Sequence, residues 1–273
     1  MKVKQKAKQV LSKTSTMHYA KLVFRSALFA IALVVYIINR IRNATSPFGG
    51  LEKQPFILTF IWIVFVTEMI FRFFPAKFES MGCQKQFRNN YHPSHLADSL
   101  KPDKLPWWKT FTIATIWIGA NSVIGVFHLL GFYDEGILYL LFLFYAVSDM
   151  ICVLFFCPFH TLIMKNKCCT TCRIYNWDFP MMFTPLVFIP NLFTYSLVIL
   201  SLALLAEWEI LYKFYPQRFT ENTNLSLKCA NCTEKACQHK KQLQHYLKNY
   251  NAKHKDDFPS PAQEVRTNEK VLK

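Results

Sequence analysis

Five apolar runs divide the chain, at about 22–39, 55–74, 110–133, 137–164 and 191–212. A bilayer core takes roughly 17–25 helical residues to cross, and each run reaches that length. The segments between them are polar. The pattern predicts an all-α, multi-pass transmembrane helical bundle of about five spans, flanked by a basic segment 1–21 and a polar tail 213–273. The acidic pair Asp134 and Glu135 with Gly136 makes so short a connection that the third and fourth spans form an antiparallel hairpin. The last apolar stretch begins at Met181, and 181–212 exceeds what one crossing needs. Pro185 and Pro190 either separate a short entering segment from a span at 191–212 or kink one long helix. Trp107, Trp108 and Trp208 read as interface belts. In the tail, Leu243, Tyr246, Leu247 and Tyr250 have amphipathic-helix spacing, and the composition beyond residue 256 reads as disordered.

Composition agrees. The chain is 52% hydrophobic and 18% charged, below the roughly 25% charge of a soluble domain. Its net charge of +15 lies at the edges of the apolar runs, where the positive-inside bias puts it. The expected partner is therefore the lipid bilayer; no nucleic-acid motif accompanies the charge. Segment 1–21 holds six lysines and no acid, and the run after it is too long for a cleaved signal, so it reads as a signal anchor. The expected setting is the cell membrane with a cytoplasmic N terminus. Four spans then place Cys168, Cys169 and Cys172 inside, and a fifth exports the tail. That tail is itself basic and carries Cys229, Cys232 and Cys237. The two cysteine groups share a face only if the fifth stretch re-enters or lies along the interface; five spans is the preferred expectation.

Charged groups interrupt the runs. Arg25 lies close enough to the basic end of its span to snorkel to the interface. Glu68 and Arg72, four residues apart, read as a salt bridge at the membrane edge. Asn121 and His128 interrupt the third span, and Ser148 and Asp149 the fourth. Asp149 sits near mid-membrane and is the foremost intramembrane candidate, either as a functional group or as a partner for Asn121, His128 or a hydroxyl.

Nine cysteines cannot all pair within one chain, and their close spacing suits metal or redox sites better than a disulfide framework. Three arrangements stand open. Cys157, His160, Cys169 and Cys172 form C-x2-H-x8-C-x2-C, a thiolate and imidazole set suited to zinc. Cys169 and Cys172 can instead join Cys229 and Cys232, with Cys168, Cys237 and His239 to spare; four thiolates serve zinc or an iron–sulfur cluster. The third is a dithiol–disulfide pair without metal, its thiol pKa lowered by Lys165, Lys167 and Arg173. Its layout is loosely similar to that of quinone-coupled disulfide-forming enzymes. In the loop 75–109, Cys83, His92 and His95 are weaker candidates because Pro93 prevents a helical histidine pair.

The segments CPFHTLIMKNKCCTTCRIYNWD, FTPLVFIPNLFTYS and RFTENTNLSLKCANCTEKACQHKK resemble those of uncharacterised integral membrane proteins of anaerobic gut bacteria. The resemblance covers roughly the second half of the chain and brings no activity with it. The leading expectation is a bacterial inner-membrane protein with a thiolate metal or cluster site for electron transfer or metal sensing. Its redox or protein partner is unknown. The alternatives are a transporter or assembly partner with a polar path around Asp149 and structural zinc, and a thiol–disulfide oxidoreductase.

Overall fold

The structure is a computed structural model that describes residues 13–42, 46–50, 54–75, 81–94, 102, 107–165 and 169–228. Its elements are α1 (Lys13–Ile41), α2 (Pro55–Phe73), α3 (Met81–Gln84), α4 (Trp107–Leu129), α5 (Glu135–Leu154), α6 (Asp178–Phe183) and α7 (Leu192–Phe214), with short 3-10 and π turns between them. No strand occurs among the described residues. Among the described residues, four helices are long and apolar enough to cross a membrane: α1, α2, α4 and α5.

Local chemistry sets the helix limits. Pro55 opens α2, where its missing N–H costs nothing. Phe74, just before Pro75, is extended and ends it. The α4–α5 turn passes through Gly131 at φ +81°, a left-handed conformation that glycine adopts without strain. The expected fourth span to residue 164 is broken. Helix α5 stops at Leu154, and a π turn, Phe159–Met164, follows Pro158. Proline supplies no N–H and crowds the carbonyl four residues back, so the helix cannot run through it.

The long fifth stretch divides as Pro185 and Pro190 suggest. Helix α6 passes into a 3-10 segment, Thr184–Phe188, and α7 starts afresh with the Asn191 side chain accepting from Phe193 N–H at 3.0 Å. Asp178 begins beside Arg72 in the last turn of α2, whereas Phe188 lies against Gly125 near the far end of α4. Residues 178–189 therefore travel back through the bundle, and α7 returns. Helices α2 and α7 run the same way. Early in both, the Trp62 indole N–H donates to Ser196 Oγ at 2.7 Å; beyond α2, Phe87 packs on Trp208 near the end of α7.

This broken stretch brings the start of the tail against the α2–α4 connection. Asn224 donates to the Lys85 carbonyl at 3.0 Å, Leu225 N–H to His92 O at 2.8 Å and Ser226 Oγ to Asn90 O at 2.7 Å. The start of the tail thus lies at the same end of the bundle as the α2–α4 connection. A reading of 181–212 as one passage puts it at the opposite end. Trp208, expected in an interface belt, is only 2% exposed and packs between Phe87 and Phe219. Trp107 and Trp108 are exposed, as a belt requires. The amphipathic spacing at 243–250 and the segment beyond 256 lie outside the described residues.

An aromatic cluster forms the centre. Phe65 of α2, Phe142 of α5 and Phe183 of α6 have ring centroids 5.2 to 5.6 Å apart. Gly125 admits the returning segment, because a Cβ there would lie 2.0 Å from Phe188 Cζ. Gly119, on the same helix, has open space at its Cβ position. Gly125→Ala is expected to lower stability by about 1–3 kcal/mol through overpacking. Gly119→Ala should be neutral or slightly stabilising by helix propensity. Denaturation of both variants in mild detergent checks the contrast.

Candidate functional site

Two constellations stand out, a charge network between the helices and a polar junction at the cysteine-bearing end. In the first, Arg25 is only 3% exposed. Its guanidinium donates to Glu68 Oε2 at 2.6 Å, to Asp149 Oδ2 at 3.0 Å and to the Ala146 carbonyl at 3.0 Å. Lys21 lies 3.6 Å from the other Glu68 oxygen. Next to this group Arg72 grips Asp178 through two bonds of 2.8 and 2.5 Å, with its guanidinium 4.9 Å above the Phe179 ring. Three cations (Lys21, Arg25, Arg72) face three carboxylates (Glu68, Asp149, Asp178), drawn from α1, α2, α5 and α6. The network is neutral in sum, the only affordable state for charge held away from water.

These partners correct the sequence expectations. Arg25 does not snorkel, because carboxylates from α2 and α5 meet it at its own depth. Glu68 and Arg72 each have a partner on another element as well as their helical proximity. Asp149 pairs with Arg25, while Asn121 and His128 stand elsewhere. Asn121 donates to Trp117 O at 2.9 Å and accepts from Tyr145 at 3.3 Å; His128 Nδ1 lies 3.0 Å from Tyr133 O. The three expected members of a polar path are not brought together.

The second constellation joins four chain segments. Gln86 Nε2 donates to Thr170 O at 2.8 Å, and Asn176 Nδ2 donates to Gln86 Oε1 at 2.9 Å. The neighbouring residue, Lys85, accepts from Asn224. Two successive residues after α3 therefore hold the 169–177 segment on one side and the start of the tail on the other. Arg173 and Glu209 form a two-bond pair, Trp177 Nε1 donates to Glu209 Oε1 at 2.8 Å, and the Arg173 guanidinium stacks 3.8 Å over Tyr212. Cys172 and Thr220 line the same small cavity, about 20 Å³, room for one water. Trp208 Nε1 and Asn176 Oδ1, buried polar atoms of two further lining residues, have no protein hydrogen-bond partner.

The candidate ligands distribute unevenly over this end. Cys169 opens a 3-10 turn, Cys169–Thr171, and Cys172 follows it. Cys172 is 7% exposed and packs with Ile113, Met164 and Ile174. Cys157 stands at the head of the π turn, where its Sγ accepts from His160 N–H at 3.5 Å. Cys157, His160 and Cys172 do not converge as a set, and among the described residues no group of three metal-ligating side chains occurs. Cys83 is buried in the main core. Cys168, Cys229, Cys232, Cys237 and His239 lie outside the described residues, as does His95.

Sequence reading missed Arg25 as a bridge, Asp178 as the Arg72 partner, and Gln86 and Asn224 as the junction. The first two carried a signal in being charges within or beside apolar runs. The last two carried none, since neither periodicity nor spacing marks a lone amide. No protein family, curated protein or solved structure matches this chain.

Arg25→Leu leaves two carboxylates buried against one lysine and is expected to cost about 3–5 kcal/mol. The triple variant R25L/E68L/D149L should recover most of that loss, because it removes all three buried charges. Unfolding in mild detergent distinguishes the two.

Proposed function

We propose that the protein is a multi-pass membrane protein whose basic end faces the cytoplasm and gathers thiolates around one metal or iron–sulfur centre, for electron transfer or for metal or redox sensing. In this reading α1, α2, α4, α5 and α7 cross the bilayer, and the broken segment 178–189 makes a sixth passage. An even number of passages leaves the N terminus and the tail on one face, together with the basic connections. The conflict between a basic tail and its export disappears.

The observation that carries the proposal is the junction at Lys85 and Gln86, through which the Cys172 segment and the start of the tail share a cavity wall. The described chain ends at Lys228, one residue before Cys229, with its N–H bonded to Leu225 O at 3.2 Å. The donor set fits in spacing: Cys169 and Cys172 form one C-x2-C pair, and Cys229 and Cys232 form another. Four thiolates suit tetrahedral zinc or a cluster. Cys168, Cys237 and His239 are reserve ligands. Bound there, a cluster would supply one-electron chemistry and zinc a structural or sensing role. The charge network is the clamp of the bundle in this reading, and no transport step passes through Asp149.

Metal and acid-labile sulfide analysis of protein purified without air in mild detergent tests the centre. Iron with sulfide supports electron transfer or redox sensing, and stoichiometric zinc supports a structural or sensing site. Loss of the metal in both C172S and C232S is expected. A metal-free wild type, or metal retained by both variants, overturns the proposal. Topology is checked separately by fusing to the C terminus a fluorescent protein that matures only in the cytoplasm. Fluorescence is expected, and a dark but full-length fusion would remove the sixth passage.

A further inference from the structure

Helix α1 packs chiefly along α5, and α2 chiefly along α7. The two pairs are tied where Arg25 and Lys21 of α1 reach Glu68 of α2, with Arg25 also 5.6 Å from the Phe65 ring centroid. Away from that tie they diverge and leave a cleft of about 180 Å³, walled by Leu28 and Ala32, Ile61, Phe142, Leu186 and Leu197. We propose that this cleft binds one acyl chain of a membrane phospholipid, inserted sideways between the two helix pairs as an integral part of the bundle.

The lining states the chemistry of the occupant. No charged side chain borders the cleft. Trp62, Thr194 and Tyr139 are its residues with side-chain hydrogen-bonding groups; each is engaged within the protein, and the exposed wall is almost wholly apolar. The Trp62 N–H donates to Ser196, and the Thr194 hydroxyl donates to the Ile189 and Asn191 carbonyls. A headgroup, a quinone ring or a peptide would be left without partners there, whereas a saturated chain needs none. Size excludes a partner helix, which with its side chains is about 10–12 Å across, too broad for the space. The mouth is continuous with the hydrocarbon-facing surface, because Ile31 borders the cleft and is 63% exposed. Phe48, in the turn after α1, also borders the cleft. Acyl chains are the medium outside that mouth. A dry apolar void of this size would forgo the dispersion contacts a chain supplies. Unlike lipid around the perimeter, a chain held here touches five elements at once, so it exchanges slowly and survives purification.

The full-length protein, reconstituted in phosphatidylglycerol–phosphatidylethanolamine vesicles with a trace phospholipid bearing a mid-chain diazirine, tests this. After irradiation, peptide mapping is expected to concentrate label on the cleft faces of α1, α2 and α7. Ala32→Phe, which fills the cleft, should abolish the label there. Ile199→Phe, on a lipid-facing position of α7 outside the lining, should leave it unchanged. Native mass spectrometry of the wild type provides a readout that needs no variant, with one phospholipid expected to remain after delipidation. Label spread evenly over every lipid-facing helix, label in the cleft unchanged by A32F, or no retained phospholipid would each overturn the proposal. So would displacement of the probe by an isoprenoid quinone but not by excess phospholipid. None of these readouts depends on the metal content, so this site and the thiolate centre stand or fall separately.

Discussion

A guanidinium held away from water must be neutralised on the spot, and the bundle is arranged around that requirement. Arg25 reaches Glu68 on α2 and Asp149 on α5 at once, which sets the rotation of three helices about their axes. The Arg72–Asp178 pair then brings the start of α6 to the end of α2. Apolar packing in hydrocarbon gives helices little reason to choose one neighbour over another, because lipid tails are as apolar as leucine. Charges and hydrogen bonds make the choice. The Phe65, Phe142 and Phe183 rings fill the space that these contacts enclose.

The polar junction has a different character. It lies among the connecting segments, whose backbone groups need partners. Amide side chains of Gln86 and Asn224 bond backbone carbonyls of segments remote in sequence, and Asn176 bonds the Gln86 side chain in turn. Such amides tie the 169–177 segment and the start of the tail to the residues after α3. The neighbouring Arg173–Glu209–Trp177 group fixes the same turn to α7.

The helices were legible because hydropathy is a local property; α2 and α7 begin and end within about two residues of the apolar runs that predict them. The break after Leu154 was less legible, since apolar residues continue through Pro158 and hide a conformational stop inside a compositional run. Arg25, Glu68 and Asp149 were each visible as charges. Which cation meets which carboxylate depends on helix neighbours separated by 43 and 124 positions, and no local pattern encodes that. The contact between the start of the tail and residues 85–92 was missed for a related reason. A passage made of six α-helical residues and a 3-10 segment has no helical periodicity to announce it, so 181–212 resembles one long span with an excess at its start. Of the candidate ligands, Cys157, His160 and Cys172 form no common group among the described residues, and Cys168, Cys229, Cys232, Cys237 and His239 lie outside them.

The contact of Phe188 with Gly125 also bears on the order in which the bundle is built. Three prolines between 178 and 190 deprive that passage of backbone N–H groups, and its Thr184 hydroxyl accepts from the Trp117 indole of α4. Such a strand of chain has no stable existence alone in oil. It enters only beside α4 and α5 already in place, with the glycine notch waiting for its aromatic key. Residues 178–189 are accordingly the dependent part of the bundle, seated by the helices that receive them.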